Sequence, residues 1–141
     1  STGHLVFGTL HTQNASKTVD RIIDIFPANQ QPQIRATLAD TLKSVVAQTL
    51  FKRVDVKGRC SAIEILMVTP AVANLIREGK TYQLPGVIQT GKKFGMVTLD
   101  DSIMDLLRKR WISPIEAYDK SVDKQKFLPF LPKPPEELGL A

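Results

Sequence analysis

Two histidines stand within the first eleven residues, His4 and His11, on either side of the apolar run Leu5, Val6 and Phe7, and they are the chain's whole complement of imidazole. Imidazole titrates near neutral pH and offers a donor or an acceptor nitrogen, so it suits proton transfer, metal ligation or donation to an anion. The spacing does not join the two in one site, because residues seven apart on a regular strand point to opposite faces. His4 fits a structural imidazole, bonded to backbone and packed like an aromatic ring. His11 follows Thr9 and Leu10 and precedes Thr12, where a parallel strand would end at its carboxyl edge; ligands of open α/β sheets gather at that edge. There an imidazole serves equally as a structural group or as a donor to an anionic phosphate, with the hydroxyls of Thr9 and Thr12 beside it.

Little else is equipped for catalysis. The sequence has no Gly-x-x-x-x-Gly-Lys-Ser/Thr loop to hold phosphates, no G-x-S-x-G nucleophile elbow and no paired-histidine helix for zinc. Cys60 has only Arg59 beside it as an activating charge and reads as an inert packed thiol. A single cysteine excludes an internal disulfide, the usual zinc spacings are missing, and no metal site is expected. Asp100 and Asp101 are better placed to complement a helix N-terminus than to act as general acid and base.

The charge balance is +5, from 19 basic against 14 acidic residues, and the basic residues are scattered. That favours an acidic ligand only weakly. With 6% aromatic residues and no basic helix stripe, nucleic acid is not expected as a partner. No apolar run approaches the roughly 20 residues that span a bilayer, and no charged segment followed by an apolar one opens the chain, so a cytoplasmic protein without membrane insertion is expected.

The elements that must position these residues follow from periodicity. Its 141 residues, 43% of them hydrophobic, suffice for one ordinary domain. Gly3 to Leu10 reads as a central strand covered on both faces, since its apolar residues are consecutive rather than alternating. Such a strand needs neighbours that this sequence hardly supplies, which implies that the chain is a piece of something longer. Asn14 caps a helix with Val19, Ile22, Ile23 and Phe26 on one stripe, stopped at Pro27. A second helix is predicted from about Gln33 to Phe51. A hairpin follows, Phe51 to Val56 against Arg59 to Val68 through Lys57 and Gly58, with Ile63, Ile65 and Met67 alternating against Glu64 and Leu66.

Thr69 and Pro70 then open a short helix stopped at Gly79, and a helix-like stretch runs from Thr81 to Gln89. Thr98 caps a helix carrying Ile103, Leu106, Leu107 and Trp111, and Ser113-Pro114-Ile115-Glu116 forms a capping box for a last one. The carboxy-terminal half is therefore a helical bundle. From Lys124 on, Phe127, Leu128, Phe130 and Leu131 alternate with prolines. Two readings fit them: an extended arm packed on a surface, its own or a neighbour's, and a frayed tail.

At this point the stretch G-H-L-V-F-G-T-L-H-T, followed by A-S-K-T-V-D-R-I-I-D-I-F-P, resembles the His box region of secretion-type motor ATPases. T-P-A-V-A-N-L-I-R-E-G-K, I-Q-T-G and G-M-V-T-L-D resemble the PilT-type pilus retraction ATPases within that superfamily, and the similarity runs from Gly3 to about Leu107. Extension motors of the superfamily usually carry a four-cysteine zinc site, and Cys60 stands alone here, so the resemblance favours retraction. It implies an α/β fold, the C-terminal portion of a RecA-like P-loop NTPase, with a few strands at the start plus the hairpin and then the bundle. Residues 1–112 would belong to the motor domain and residues 113–141 to a C-terminal helix and Pro-rich arm.

The same resemblance implies the rest of the machine. The full-length enzyme would bind ATP and Mg2+, assemble as a homohexamer, and work at the cytoplasmic side of the inner membrane with a pilus platform protein. Its Walker A and Walker B motifs would precede this chain, so the chain alone is expected to be inactive and to bind no nucleotide tightly. His11 would sense the γ-phosphate and His4 would be the other member of the box, with Thr9 and Thr12 near the nucleotide. Ala71, Val72, Ala73, Asn74, Leu75, Ile76, Arg77 and Glu78 match the family's retraction motif, with Val72 in place of Ile and Ala73 in place of Arg. Without the resemblance that segment is an ordinary surface helix; with it, a moving element. A regulatory or docking domain using this helix and the arm, or a fragment of a pilus extension or type II secretion ATPase, are the alternatives.

Overall fold

Asn14 holds extended backbone and its side-chain oxygen accepts the Lys17 amide at 2.9 Å, so the first helix, α1, runs Ala15–Asp24 behind the cap that the sequence marks. The molecule is described by a computed structural model over residues 3–10 and 14–140. Ala15, Thr18, Val19 and Ile23 form the buried face of α1. A single turn at Ala28–Gln30 leads into α2, Gln31–Thr41, with Pro32 in its first turn, where its missing amide costs nothing.

The helix predicted from Gln33 to Phe51 ends early. Leu42 is extended, and strand β1 occupies Ser44–Lys52. The apolar residues of this stretch satisfy both a 3.6 and a 2.0 period, and pairing decides between them. Val45, Ala47, Thr49 and Phe51 face inward, while Val46 and Leu50, apolar residues of the predicted helix, are left exposed. The partner strand β2 is Arg59–Met67, and the two form an antiparallel hairpin closed by Arg53 N–H on the Gly58 carbonyl at one end and Val68 N–H on the Lys43 carbonyl at the other. The hairpin therefore begins seven residues before the predicted Phe51. Ala62, Glu64 and Leu66 make the buried phase of β2, with a carboxylate among them.

The helices after the hairpin keep their sequence marks. Helix α3, Pro70–Arg77, is capped by the Thr69 hydroxyl accepting Val72 N–H. Thr81 to Thr90 divides into a turn, Thr81–Gln83, and helix α4, Leu84–Thr90, with Pro85 at its start. Helix α5, Leu99–Arg108, and helix α6, Pro114–Lys120, have Thr98 and Ser113 as caps, the hydroxyls accepting from Asp101 and Glu116 amides.

No strand forms at residues 4–10, so the expected strands at the start are absent among the described residues. A strand exists only as one side of a hydrogen-bonded ladder, and the hairpin is the single sheet among the described residues. The carboxy-terminal arm is not extended either. It winds into three short 3₁₀ turns, Lys124–Lys126, Leu128–Phe130 and Pro135–Leu138, and the frayed tail is excluded because Phe127 is fully buried and Leu128, Leu131 and Leu140 pack beside it.

The chain divides into two compact units, residues 1–47 with 64–97, and residues 48–63 with 98–141. The first has its core between α1, α2, α3 and α4, around Val19, Ile23, Leu66, Val72, Ile76 and Leu84. The core of the second is built on Phe51, Leu99, Ile103, Ile112, Ala117 and Phe127.

Candidate functional site

His4 and Thr9 lie on the coil of residues 3–10, exposed, as are Leu5, Val6 and Phe7, whose side chains are 78%, 80% and 87% accessible. His11 and Thr12 fall outside the described residues, so the described structure does not bring the two imidazoles and two hydroxyls into one place. The segment leads to α1, whose N-terminus is firmly held. Ala15 N–H donates to Glu64 Oε1 at 2.9 Å, a buried bond from strand β2 to the first turn of the helix. A carboxylate at that end also meets the positive pole of the helix dipole. Further along α1, Asp20 accepts the Thr81 hydroxyl at 2.6 Å, joining the helix to the turn after α3. Neither contact is marked in the sequence, since Glu64 looks like the solvent phase of a strand and Asp20 like the polar face of a helix.

Residues 71–78 all lie on or at the end of α3. Val72 and Ile76 are fully buried, and Ala73 and Leu75 are partly so; Ala71, Asn74, Arg77 and Glu78 face water. On the outer side Arg77 bonds Asn74 Oδ1 at 2.7 Å and reaches Asp40 of α2 at 2.8 Å. Lys80 meets Glu78 at 3.2 Å. The helix closes at Gly79, φ 72, with Lys80 N–H on the Leu75 carbonyl, a conformation that glycine adopts without Cβ strain. A shallow apolar recess of about 270 Å3 lies beside the first turn of α3, lined by Pro70, Ala71, Val87, Phe94 and Met96.

Cys60 sits half-buried on β2, and burial pushes its thiol above the ordinary range. Nearby, Arg53 grips Asp55 through two nitrogens and lies over the Trp111 ring at 4.0 Å. The hydrogen bonds from Arg53 hold the Asp55 carboxyl below its usual value. Asp100, also missed as a structural anchor by its place in a helix first turn, is buried and accepts the Val122 and Asp123 amides, both at 2.8 Å.

Comparison with known proteins joins these parts. A family model described as type II/IV secretion system protein matches residues 1–65. The chain is 51% identical over 116 residues to the twitching motility protein of Neisseria gonorrhoeae, covering 82% of this chain and 31% of that one. It is 48% identical over 126 residues to the type IV pilus retraction ATPase PilT of Pseudomonas aeruginosa, covering 89% of this chain and 36% of that one. Over most of its length this chain is similar to the PilT-type secretion ATPases. Its fold agrees: a solved structure of the pilus retraction motor PilT with bound ADP superposes with a TM-score of 0.76 at 38% identity, over 89% of this chain and 34% of that chain. The chain thus spans about a third of the length of the PilT-type relatives it matches. No helix among the described residues is long and apolar enough to cross a membrane.

Proposed function

We propose that this chain is part of a motor ATPase that couples ATP hydrolysis to type IV pilus retraction, and that it contributes the His box and the retraction-motif helix. The observation that carries the reading is the 48% identity over 126 residues to a pilus retraction ATPase. In this reading residues 1–112 belong to the RecA-like motor domain and residues 113–141 form its C-terminal helix and arm. The working assembly is a homohexamer at the cytoplasmic face of the inner membrane, in contact with a platform protein of the pilus machine.

ATP and Mg2+ belong to the whole enzyme. Among the described residues His4 and Thr9 are exposed, and no group of three or more His, Cys, Asp or Glu is placed to hold a metal ion. No step through nucleotide or metal follows for this chain by itself. What the chain's own residues would do is sense and transmit. His11 would donate to the γ-phosphate of ATP held by the P-loop half, with His4 the other member of the His box and Thr9 and Thr12 near the nucleotide, and α3 would carry the motion outward through Asn74, Arg77 and Glu78.

The test is ATP turnover after mixing this chain with a separately expressed P-loop half, with wild type beside His11→Ala. Turnover is expected to be absent from either part, restored in the mixture, and lowered by about a hundredfold to a thousandfold in the variant, the range for losing one donor to developing charge. Equal turnover in wild type and variant would overturn the role of His11. No restoration, with both parts folded and associated, would overturn the reading that this chain completes the ATPase.

A further inference from the structure

The second unit carries an open groove of about 570 Å3 lined by the loop after β1, the end of α5 and the turn at Phe130. Its floor is apolar and closed, with Leu107 and Ile112 buried, and its rim is apolar and open, with Val54 and Phe130 at 60% and 44% exposure. Arg108 and Arg110 also line it, both exposed, and none of the lining residues is acidic. The neighbouring cations are engaged: Arg53 with Asp55, Lys109 with Asp105, and both over the Trp111 ring. Arg108 and Arg110 form no ion pair among the described residues.

A second observation concerns Arg110 alone. It is the single non-glycine among the described residues with positive φ, at 60°. It closes α5 with its own N–H on the Leu107 carbonyl at 3.0 Å and Trp111 N–H on the Leu106 carbonyl at 3.1 Å. That is the bond pattern by which α3 ends at Gly79, where glycine meets the same demand without a Cβ penalty. At the groove the chain keeps a guanidinium in a backbone state that disfavours it, and strain of this kind is concentrated at sites of binding.

We propose that the groove docks an acidic, apolar segment of a partner protein, which seats one bulky side chain on Leu107 and Ile112 and sets carboxylates against Arg108 and Arg110. Charge complementarity selects the acidic partner. The concave floor selects a peptide over an anionic membrane, because a buried floor is reached by an inserted side chain, whereas a bilayer surface meets protruding apolar residues. The planar guanidinium favours carboxylates in paired, two-point contact.

The probe is a fluorescein-labelled peptide D-E-L-F-E-D, titrated by anisotropy with the full chain at low and physiological salt, beside a K-K-L-F-K-K control and vesicles rich in phosphatidylserine. The acidic peptide alone is expected to bind, more weakly as salt rises. Arg108→Ala and Arg110→Gly are each expected to weaken it up to about fivefold, the upper range for one exposed ion pair. Phe130→Ala weakens it without changing the salt dependence. Arg110→Gly relieves the backbone strain, so its loss of binding comes with a chain at least as stable and is not a folding defect. Equal binding of both peptides, unchanged affinity in both arginine variants, or capture by vesicles without peptide binding would overturn the proposal. So would self-association of the chain, seen by sedimentation, that blocks the peptide, since a second copy would then be the occupant.

Discussion

Phe127→Ala tests whether the Pro-rich arm is a structural part of the second unit. Phe127 is fully buried, in the cluster with Phe51, Ile103, Leu107 and Tyr118, and it is reached only after the chain has left α6. Burying a phenylalanine contributes about 1.5–3 kcal/mol from transfer alone, and the cavity left by truncation raises the cost to about 3–5 kcal/mol. Phe130, three residues on and 44% exposed, supplies the control, for which truncation is expected to cost less than about 1 kcal/mol. The single tryptophan, Trp111, packs against the same cluster and so reports this unit. Thermal unfolding followed by its fluorescence is expected to shift by about 10 °C or more for Phe127→Ala and by no more than a few degrees for Phe130→Ala. Equal shifts, or none, would refute the seating of the arm and restore the frayed tail.

Four further outcomes are expected. Arg110→Gly removes the left-handed strain at the end of α5 and raises stability by about 1 kcal/mol, read as a higher urea midpoint with unchanged slope. Thr49 is 7% exposed with a hydroxyl that has no hydrogen-bond partner among the described residues, so Thr49→Val is expected to be neutral or to stabilise by about 1 kcal/mol in the same assay. Glu64→Leu leaves the Ala15 amide without its buried acceptor and is expected to cost about 1–3 kcal/mol, with faster amide exchange in the first turn of α1, while Glu64→Gln keeps an acceptor and costs less. Asp55, its carboxyl lowered first by the Arg53 hydrogen bond, adds stability above the ordinary carboxylate range that is lost as pH falls through its lowered folded value. An NMR titration is expected to place the Asp55 midpoint below that of a free aspartate and to move it upward in Arg53→Ala.

What the sequence made legible was local. Asn14, Thr69, Thr98 and Ser113 each cap the helix they were expected to cap, because the amide each side chain accepts lies only three residues further on, within the same first turn. What stayed hidden depended on contacts distant in the chain. The stretch after Leu42 satisfies two periods, and only pairing with Arg59–Met67 selects the strand. Glu64 and Asp100 look like solvent-facing carboxylates until α1 and the turn after α6 bring their amides to them. Leu5, Val6 and Phe7 fail in the other direction. Their pattern is that of a covered strand, and among the described residues nothing covers them.

The motif helix α3 sets a condition on how it transmits motion under the proposed function. Val72 and Ile76 are buried in the core of the first unit, and α3 lies along α2 with Arg77 reaching Asp40 across the gap. Sliding α3 alone would expose two fully buried side chains, at about 1.5–3 kcal/mol each, whereas the exposed Arg77–Asp40 pair contributes about 1 kcal/mol or less. The apolar face therefore decides, and under the proposed function any motion of α3 is shared with the core of the first unit in which Val72 and Ile76 are buried. Its message must be carried by the outward residues Asn74, Arg77 and Glu78, with Ala73 offering no charge at the position where the family motif has arginine. In the reconstituted motor, Val72→Ala is then expected to lower stability, while Glu78→Ala leaves stability and ATP turnover intact and uncouples turnover from force on the filament. If Glu78→Ala and Arg77→Ala leave force generation unchanged, α3 is a structural helix, as its apolar face alone would have it.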